Sequence, residues 1–293
     1  MQAELVLDAR NAVGESPVWL ASEQALYWVD IPERRLQRWT PDGVVVQWTA
    51  QEMIGCIAPA ARGGWIAAME SGVFHLAPGA DGGILQSHRL ASVEHAQPAM
   101  RFNDGRCDRQ GRLRAGTMLL DMGAGRAVGT LYAMEKTGVL TPLVQDMIVP
   151  NGLAFSPDGR TMYLSDSHPL VQQIWAFDYD IDTGKPSRRR LFVDMNPLPG
   201  RPDGAAVDED GCYWICANDA GMVLRFTPEG QLDRSLELPV KKPAMCAFGG
   251  AQLDTLYVTS IRPGGDVSDQ PLAGGVFALR PGVRGLPETP CVH

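Results

Sequence analysis

The sequence predicts an all-β protein, a six-bladed β-propeller with a metal site at one end of its central channel. Three observations predict this fold. Six short openings, each leading into an apolar strand, recur at intervals of 41 to 52 residues, which is a spacing typical of propeller blades. Turn residues separate short strand-like runs along the whole chain. No stretch keeps apolar residues at helical spacing over three turns. The six openings contain Glu15, Cys56, Asn103, Asn151, Asp203 and Ala247.

The first block shows the repeating unit most clearly. We expect its four strands over residues 17–20, 25–30, 35–39 and 44–48. The turns at matching places in later blocks are rich in Asp and Gly, which accept the positive φ angles of hairpin turns. Asp158 and Asp210 stand at such turns and are interpreted as turn formers. The later blades are expected to open at residues 54–56, 102–105, 150–152, 202–204 and 246–249.

The two ends of the chain are predicted to close the ring together. Residues 5–7 are apolar and are expected to pair with residues 275–279 as the outer strand of the last blade. Such pairing ties down both termini and removes a free sheet edge. The whole chain, residues 1–293, is therefore predicted to be a single domain, a common size for one all-β unit.

Composition limits the partners. The formal net charge of −8 and the isoelectric point near 5.1 argue against nucleic acid, because no basic stripe is present to contact phosphates. We find no signal peptide and no apolar run long enough for a membrane helix, so a cytoplasmic protein is expected. Its cysteines are then expected to be reduced and buried as small hydrophobic residues. They are Cys56, Cys107, Cys212, Cys216, Cys246 and Cys291.

Polar side chains are predicted to meet at the propeller axis. If each opening begins the innermost strand of its blade, the side chains of Glu15, Asn151 and Asp203 converge. Two carboxylates and one amide oxygen suit Ca²⁺, Mg²⁺ or Mn²⁺, and Zn²⁺ is also compatible. Asn151 and Asp203 each precede glycine, so a simple turn explains them as well. On local pattern alone, both interpretations stay open.

Motifs spread over the chain resemble the regucalcin/gluconolactonase family. They are GESPVW at 14–19, RFNDG at 101–105, AGTM at 115–118, NGL at 151–153, PDG at 202–204, CAFGG at 246–250 and PLAGGVF at 271–277. The resemblance implies a six-bladed propeller and a metal-dependent lactonase. By position it implies metal ligation by Glu15, Asn151 and Asp203, and substrate binding by Arg101 and Asn103.

One part of the chain departs from the family pattern. After Gly-Thr-Met, some relatives carry an acidic side chain that grips a substrate hydroxyl, whereas this chain has Leu119-Leu120-Asp121. Asp121 is predicted to take that role in a more apolar setting. Residues 122–129 are glycine-rich and are expected to form a mobile lid, and His168 is placed where it could reach the rim.

The predicted function is hydrolysis of a sugar lactone to the corresponding aldonic acid. A pentono- or hexonolactone of the arabinono-, galactono- or gluconolactone class is expected, in bacterial-type oxidative sugar catabolism, with Asp203 as the catalytic general base and a divalent metal ion as cofactor. The small-molecule lactone is the predicted partner, without nucleic acid or membrane, for a monomer or weak homo-oligomer. The alternatives are a non-catalytic calcium-binding regulator of the regucalcin type and a propeller esterase or phosphotriesterase.

Overall fold

The computed structural model describes residues 2–292 and arranges their strands in six antiparallel blades. The first blade is formed by β2 (Gly14–Leu20), β3 (Ala25–Asp30), β4 (Arg35–Trp39) and β5 (Val45–Thr49). The second is formed by β6 (Ile54–Pro59), β7 (Trp65–Met69), β8 (Gly72–Ala77) and β10 (Gln86–Ser92). Between β8 and β10 a short strand, β9 (Gly83–Ile84), pairs in parallel with β5. This fifth strand of the first blade was not predicted.

The remaining blades repeat the four-stranded unit. The third is formed by β11 (Met100–Cys107), β12 (Leu113–Leu119), β13 (Gly129–Met134) and β14 (Leu140–Met147). The fourth is formed by β15 (Pro150–Phe155), β16 (Thr161–Asp166), β17 (Gln173–Tyr179) and β18 (Pro186–Asp194). The fifth is formed by β19 (Arg201–Val207), β20 (Tyr213–Asn218), β21 (Met222–Phe226) and β22 (Leu232–Glu237).

The sixth blade is closed by the N-terminal strand, as predicted. Its strands are β23 (Pro243–Gly249), β24 (Thr255–Ser260), β25 (Val276–Leu279) and β1 (Glu4–Leu7). β1 pairs antiparallel with β25, and Leu5 lies opposite Phe277. The only helix in residues 2–292 is a single 3₁₀ turn, Met122–Ala124. Within that range, nothing helical is long and apolar enough to cross a bilayer.

Register irregularities mark the start of every innermost strand. Each pairing between a first and second strand is interrupted near its opening, and such bulges re-aim the side chains around them. The interruptions lie between Glu15 and Val18, Ile54 and Cys56, Phe102 and Gly105, Asn151 and Ala154, Pro202 and Ala205, and Pro243 and Cys246.

The register corrects one of the six sequence markers. Pro243 is the last paired residue before the bulge of the sixth blade, as Pro202 is in the fifth blade. Ala244 therefore stands at the position that Asp203 has in the fifth blade. Ala247 lies three residues further along the strand and packs in the core, and Cys56 is likewise fully buried. All six cysteines are buried. Packing roles for Cys56 and Ala247 are therefore confirmed. Ala247, however, does not occupy the strand position equivalent to Asp203 that the sequence predicted for it.

Two aspartates at equivalent turns have very different surroundings. Asp208 is fully buried and accepts hydrogen bonds from Trp214 Nε1 and Arg225 Nε, both at 2.8 Å. Asp158, at the matching turn of the fourth blade, is exposed. It accepts hydrogen bonds from the Ser156 hydroxyl at 2.6 Å and the Arg160 backbone N–H at 3.0 Å. The two residues occupy different places in the turn. Asp208 corresponds to buried Ser156, because their carbonyls accept from Gly211 and Gly159 respectively, whereas Asp158 corresponds to exposed Asp210.

Asp208→Ala is expected to lower the free energy of unfolding by about 3 kcal/mol or more, since it leaves the buried Trp214 indole N–H, the Arg225 Nε–H and the Cys212 backbone N–H without their acceptor. Asp210 and Asp233 still pair with the Arg225 guanidinium. The matched variant Asp158→Ala is expected to cost under about 1 kcal/mol. Denaturant unfolding of both variants measures the difference. Equal destabilisation by the two changes would contradict the assigned role of Asp208.

Candidate functional site

Five of the predicted site residues line one small cavity, of about 130 Å³. They belong to the innermost strands β2, β11, β15 and β19, and each lies within the first four residues of its strand. The convergence expected from the repeat is therefore present. The five residues are Glu15, Arg101, Asn103, Asn151 and Asp203.

The Asp203 carboxylate is held on both sides by amides. Asn151 Nδ2 donates to Oδ1 at 2.6 Å, and Asn218 Nδ2 donates to Oδ2 at 2.6 Å. Asp203 is only 8% exposed, so its orientation is fixed from two neighbouring elements. Charge-assisted hydrogen bonds of this kind are the stronger ones in proteins.

Arg101 and Asn103 form a second polar group on the cavity wall. The Arg101 guanidinium donates to Asn103 Oδ1 at 2.9 Å and to the Phe102 carbonyl at 2.8 Å. Asn103 Nδ2 donates to the Pro150 carbonyl at 3.0 Å, which ties the third blade to the fourth. The pair therefore has a defined orientation toward the cavity.

The donor set fits a divalent ion. Asn151 Oδ1 is buried and has no hydrogen-bond partner, although Nδ2 of the same amide makes two bonds. A buried acceptor without a partner is costly unless something occupies it. Beside it stand the carboxylates of Glu15 and Asp203, and hard oxygen ligands of this kind suit Ca²⁺, Mg²⁺ or Mn²⁺.

Acidic residues alone do not make up this ligand set. Within the described part of the chain, no group of three or more His, Cys, Asp or Glu side chains is placed to hold a metal. A site at the cavity therefore depends on the amide oxygen of Asn151 as its third protein ligand.

Burial controls the electrostatics of the cavity. It raises the pKa of Asp203 to about 7. It also raises the pKa of Glu15 well above its usual range, and repulsion from Asp203 and Asp104 adds to the shift. Burial lowers the pKa of Arg101 to about 10, which keeps it charged at neutral pH. Two buried carboxyl groups with raised pKa values are what a bound cation would stabilise in their ionised form.

Three further sequence predictions concern the mouth. Asp121 is exposed and lies outside the lining of the cavity, although its neighbour Met122 belongs to that lining. His168 lines an adjoining cavity, and its Nε2 is 3.0 Å from the Met122 carbonyl oxygen. The 3₁₀ turn Met122–Ala124 lies beside the mouth, where the lid was expected. Substrate contact by Asp121 or His168, and movement of the lid, stay predictions.

Comparison with known proteins settles the family. Residues 13–262 match the family model described as the SMP-30/Gluconolactonase/LRE-like region. The chain belongs to this family. It is 40% identical over 283 residues to 6-deoxy-6-sulfogluconolactonase of Pseudomonas putida, covering 95% of this chain and 94% of that protein. It is 33% identical to regucalcin of Danio rerio, covering 98% and 97% of the two chains.

A solved structure of the SMP-30/gluconolactonase family supports the same fold. Regucalcin from Agrobacterium tumefaciens, described as a calcium-binding protein, superposes with a TM-score of 0.90 at 27% identity. The match covers 100% of this chain and 97% of that one. The resemblance stated from the motifs and the six-bladed propeller are thereby confirmed for this family member.

Sequence analysis missed three polar residues that line the same cavity in this SMP-30/gluconolactonase relative: Ser167, Arg201 and Asn218. They do not belong to the openings of the blades. Ser167 follows the second strand of the fourth blade, Arg201 begins β19, and Asn218 ends β20. Arg201 and Asn218 lie opposite each other in the register, so the site is built at the end of the pairing where a first strand begins and a second strand ends.

The last residue of the second strand in three blades gives a sequence signal that could have identified Asn218 as a site residue. Asp30, Asp166 and Asn218 occupy equivalent positions in the register. Asp30 accepts hydrogen bonds from the backbone N–H groups of Ala12 and Val13. Asp166 accepts the equivalent hydrogen bonds from Ile148 and Val149. Asn218 instead donates to Asp203. The change from acid to amide at one repeat position was the clue to a site residue.

Proposed function

We propose that this protein is a lactonase that hydrolyses a sugar lactone to the aldonic acid, with a divalent ion held by Glu15, Asn151 and Asp203. The observation that carries the proposal is the meeting of these three side chains in one buried cavity, with Asn151 Oδ1 lacking a partner. Membership in the gluconolactonase family supports the reaction class. The relative from Pseudomonas putida is named for a lactone of a sulfonated gluconate.

Proton transfer is assigned to Asp203. Its carboxylate takes a proton from the water that attacks the lactone carbonyl, and it returns that proton to the ring oxygen as the ester bond breaks. The products are one carboxylic acid and one alcohol on the same opened chain. Burial raises the pKa of this carboxyl in the ion-free protein, and a bound ion would favour its ionised form, which is the form that accepts the proton. When bound, a divalent ion supplies positive charge for the developing oxyanion.

Substrate orientation is assigned to Arg101 and Asn103. Their hydrogen bond to each other leaves further guanidinium N–H groups for ring hydroxyl oxygens. Apolar side chains, among them Val13, Met118 and Val149, cover other parts of the wall and limit access of bulk water. The small cavity volume favours a single sugar ring, such as a pentono- or hexonolactone.

A panel of pentono- and hexonolactones tests this function. Acid release is followed at constant pH, with the protein as purified, after treatment with a chelator, and after addition of Ca²⁺, Mn²⁺, Mg²⁺ or Zn²⁺. We expect hydrolysis of at least one lactone well above its spontaneous rate, lost with chelator and restored by an ion. Hydrolysis that never exceeds the spontaneous rate would overturn the proposal.

A second candidate is a calcium-binding regulator without turnover. The 33% identity with regucalcin over almost the whole chain favours it. Both candidates use the same three ligands, so ion binding does not distinguish them. Calcium binding without hydrolysis of any lactone in the panel would favour the regulator.

Asn218→Ala is expected to lower kcat roughly 10-fold or more with a smaller change in KM. The variant removes the hydrogen bond that fixes Asp203 Oδ2, and a bond to a charged group is worth about 1.5–3 kcal/mol. Asn196→Ala serves as the control, because Asn196 is exposed and lies outside the cavity lining. Steady-state kinetics of both variants measures the effect. An unchanged kcat in Asn218→Ala would contradict a positioning role.

A further inference from the structure

We propose that the natural lactone carries an anionic substituent on its exocyclic carbon and that Arg201 recognises this group in a second cavity beside the first. The inference rests on the proposed lactonase function and specifies its substrate class. The substituent is a sulfonate, phosphate or carboxylate group, which share negatively charged oxygens.

The second cavity adjoins the first and is larger, about 340 Å³. Met122, Val149 and Arg201 line both cavities. A lactone ring held against Asn103 and Asp203 in the smaller cavity therefore has room for a substituent that extends toward Arg201. The shared lining makes Arg201 the charged residue at the junction.

Arg201 has hydrogen-bonding capacity left for a ligand. Its Nε donates to Asp219 Oδ2 at 2.7 Å. Its terminal nitrogens make only long contacts, at 3.4 Å to the Ser167 carbonyl and 3.3 Å to Asn218 Oδ1. A guanidinium has five N–H donors, so these contacts leave two on the terminal nitrogens. Its side chain is 23% exposed, so the group is held in place and still accessible.

Arg201 belongs to a charged cluster with Lys242 and Asp219, and it also acts on the Asp203 carboxylate in the first cavity. Lys242 Nζ pairs with the other carboxylate oxygen of Asp219, so two cations share one anion. Although burial opposes the shift, hydrogen bonds from Lys242 and Arg201 lower the pKa of Asp219 and keep it ionised. The three side chains therefore sum to one positive charge.

The rest of the second cavity favours an anion over a plain hydroxymethyl group. Met122, Val149 and Pro169 provide apolar surface on its wall. The two polar side chains that line it beside Arg201 already have partners: His168 contacts the Met122 carbonyl and the Leu170 N–H, and Asp219 pairs with Arg201 and Lys242. A purely apolar substituent would in turn leave the free N–H groups of Arg201 desolvated without an acceptor, which is costly. A charged oxyanion satisfies them, and a guanidinium binds such groups with two parallel hydrogen bonds.

Steady-state kinetics with matched lactones tests the assignment. The substrates are glucono-1,5-lactone, its 6-phosphate and its 6-deoxy-6-sulfonate, so the ring is constant and the two anions are separated. We expect the wild-type kcat/KM to be at least roughly 10-fold higher for one or both anionic lactones than for the neutral one. We expect Arg201→Gln to reduce this ratio by about 10- to 100-fold, mainly through KM, and Arg201→Lys to retain part of it.

Arg62→Gln is the matched control. Arg62 is exposed in the turn between β6 and β7, at the end of β6 away from the site, and its loss changes the net charge by the same amount. We expect it to leave the ratio unchanged. Thermal melting confirms that each variant is folded. If Arg201→Gln does not fold, the test is made with Arg201→Lys.

The outcomes separate the two proposals. A wild type that hydrolyses neutral and anionic lactones equally well would overturn the anionic substituent and leave the lactonase standing. An equal loss on all substrates in Arg201→Gln would also overturn the assignment, since it would show a general effect on the site. Failure to hydrolyse any of the three lactones, together with failure in the wider panel, would overturn both proposals.

Discussion

Asp203→Ala is expected to reduce kcat/KM for the lactone by roughly 10³-fold or more while leaving the fold intact. The variant removes the general base, which typically contributes about 10²- to 10⁴-fold, and it also removes one of three proposed ion ligands. The carboxylate is buried and contacts Asn151 and Asn218. Its loss takes away a buried charge with an unfavourable environment, so little stability should be lost.

The control for this prediction is Asp158→Ala, which removes an exposed carboxylate in a turn of the preceding, fourth blade. We expect the control to keep full activity. Activity is measured with saturating divalent ion, and the melting temperatures of both variants are compared with the wild type. Turnover close to that of the wild type in Asp203→Ala would remove Asp203 from the mechanism.

The second large effect concerns stability in the ion-free protein. The pKa of Asp203 is raised by burial from 3.8 to about 7 in the fold, so the folded state binds more protons than the unfolded state between these values. Stability from this residue is therefore greatest below about pH 4 and is lost as pH rises through 7. The size is on the order of 4 kcal/mol, because one pKa unit corresponds to about 1.4 kcal/mol. The raised pKa of Glu15 acts in the same direction.

Comparison with a variant isolates this effect from the other titrating groups. The free energy of unfolding is measured in chelator between pH 4 and 8 for the wild type and for Asp203→Ala. We expect the wild type to lose several kcal/mol relative to the variant as pH rises. A constant difference between the two proteins across this range would contradict the electrostatic account of the cavity.

Divalent ion is expected to reverse the loss. An ion at about 100 times its Kd stabilises a protein by about 2.7 kcal/mol. The gain should be larger at pH 8 than at pH 5, because protons compete with the ion for Glu15 and Asp203. Asp203→Ala should show a much smaller gain. Equal stabilisation of wild type and variant would place the ion elsewhere.

The fold was predictable because its signals are local and repeated. Turn residues at matching positions set the blades, and the apolar N-terminal residues paired with β25 as expected. The phase within a strand was less predictable. A bulge changes which residue faces the axis, and for this reason Ala247 was taken for the position that Ala244 occupies. The number of residues in a bulge is not visible in the sequence.

The site was predictable where its residues begin innermost strands. Glu15, Asn151 and Asp203 were expected together and line one cavity. Asn218 was missed because it joins the site through the pairing of β19 with β20, which only the register reveals. Arg201 begins β19 but lies just before the opening at 202–204 by which that strand was recognised. Asp121 was placed by resemblance alone, and its side chain lies in an exposed segment whose geometry no strand pairing fixes.

Crystals soaked with Mn²⁺ or Ca²⁺ test the central claim most directly, by anomalous diffraction that locates the ion. The account predicts one strong site with oxygens of Glu15, Asn151 and Asp203 at about 2.1–2.6 Å, and none at that place in Asp203→Ala. An ion bound outside the cavity would contradict it. So would an empty cavity in crystals of a protein that hydrolyses lactones at full rate in chelator.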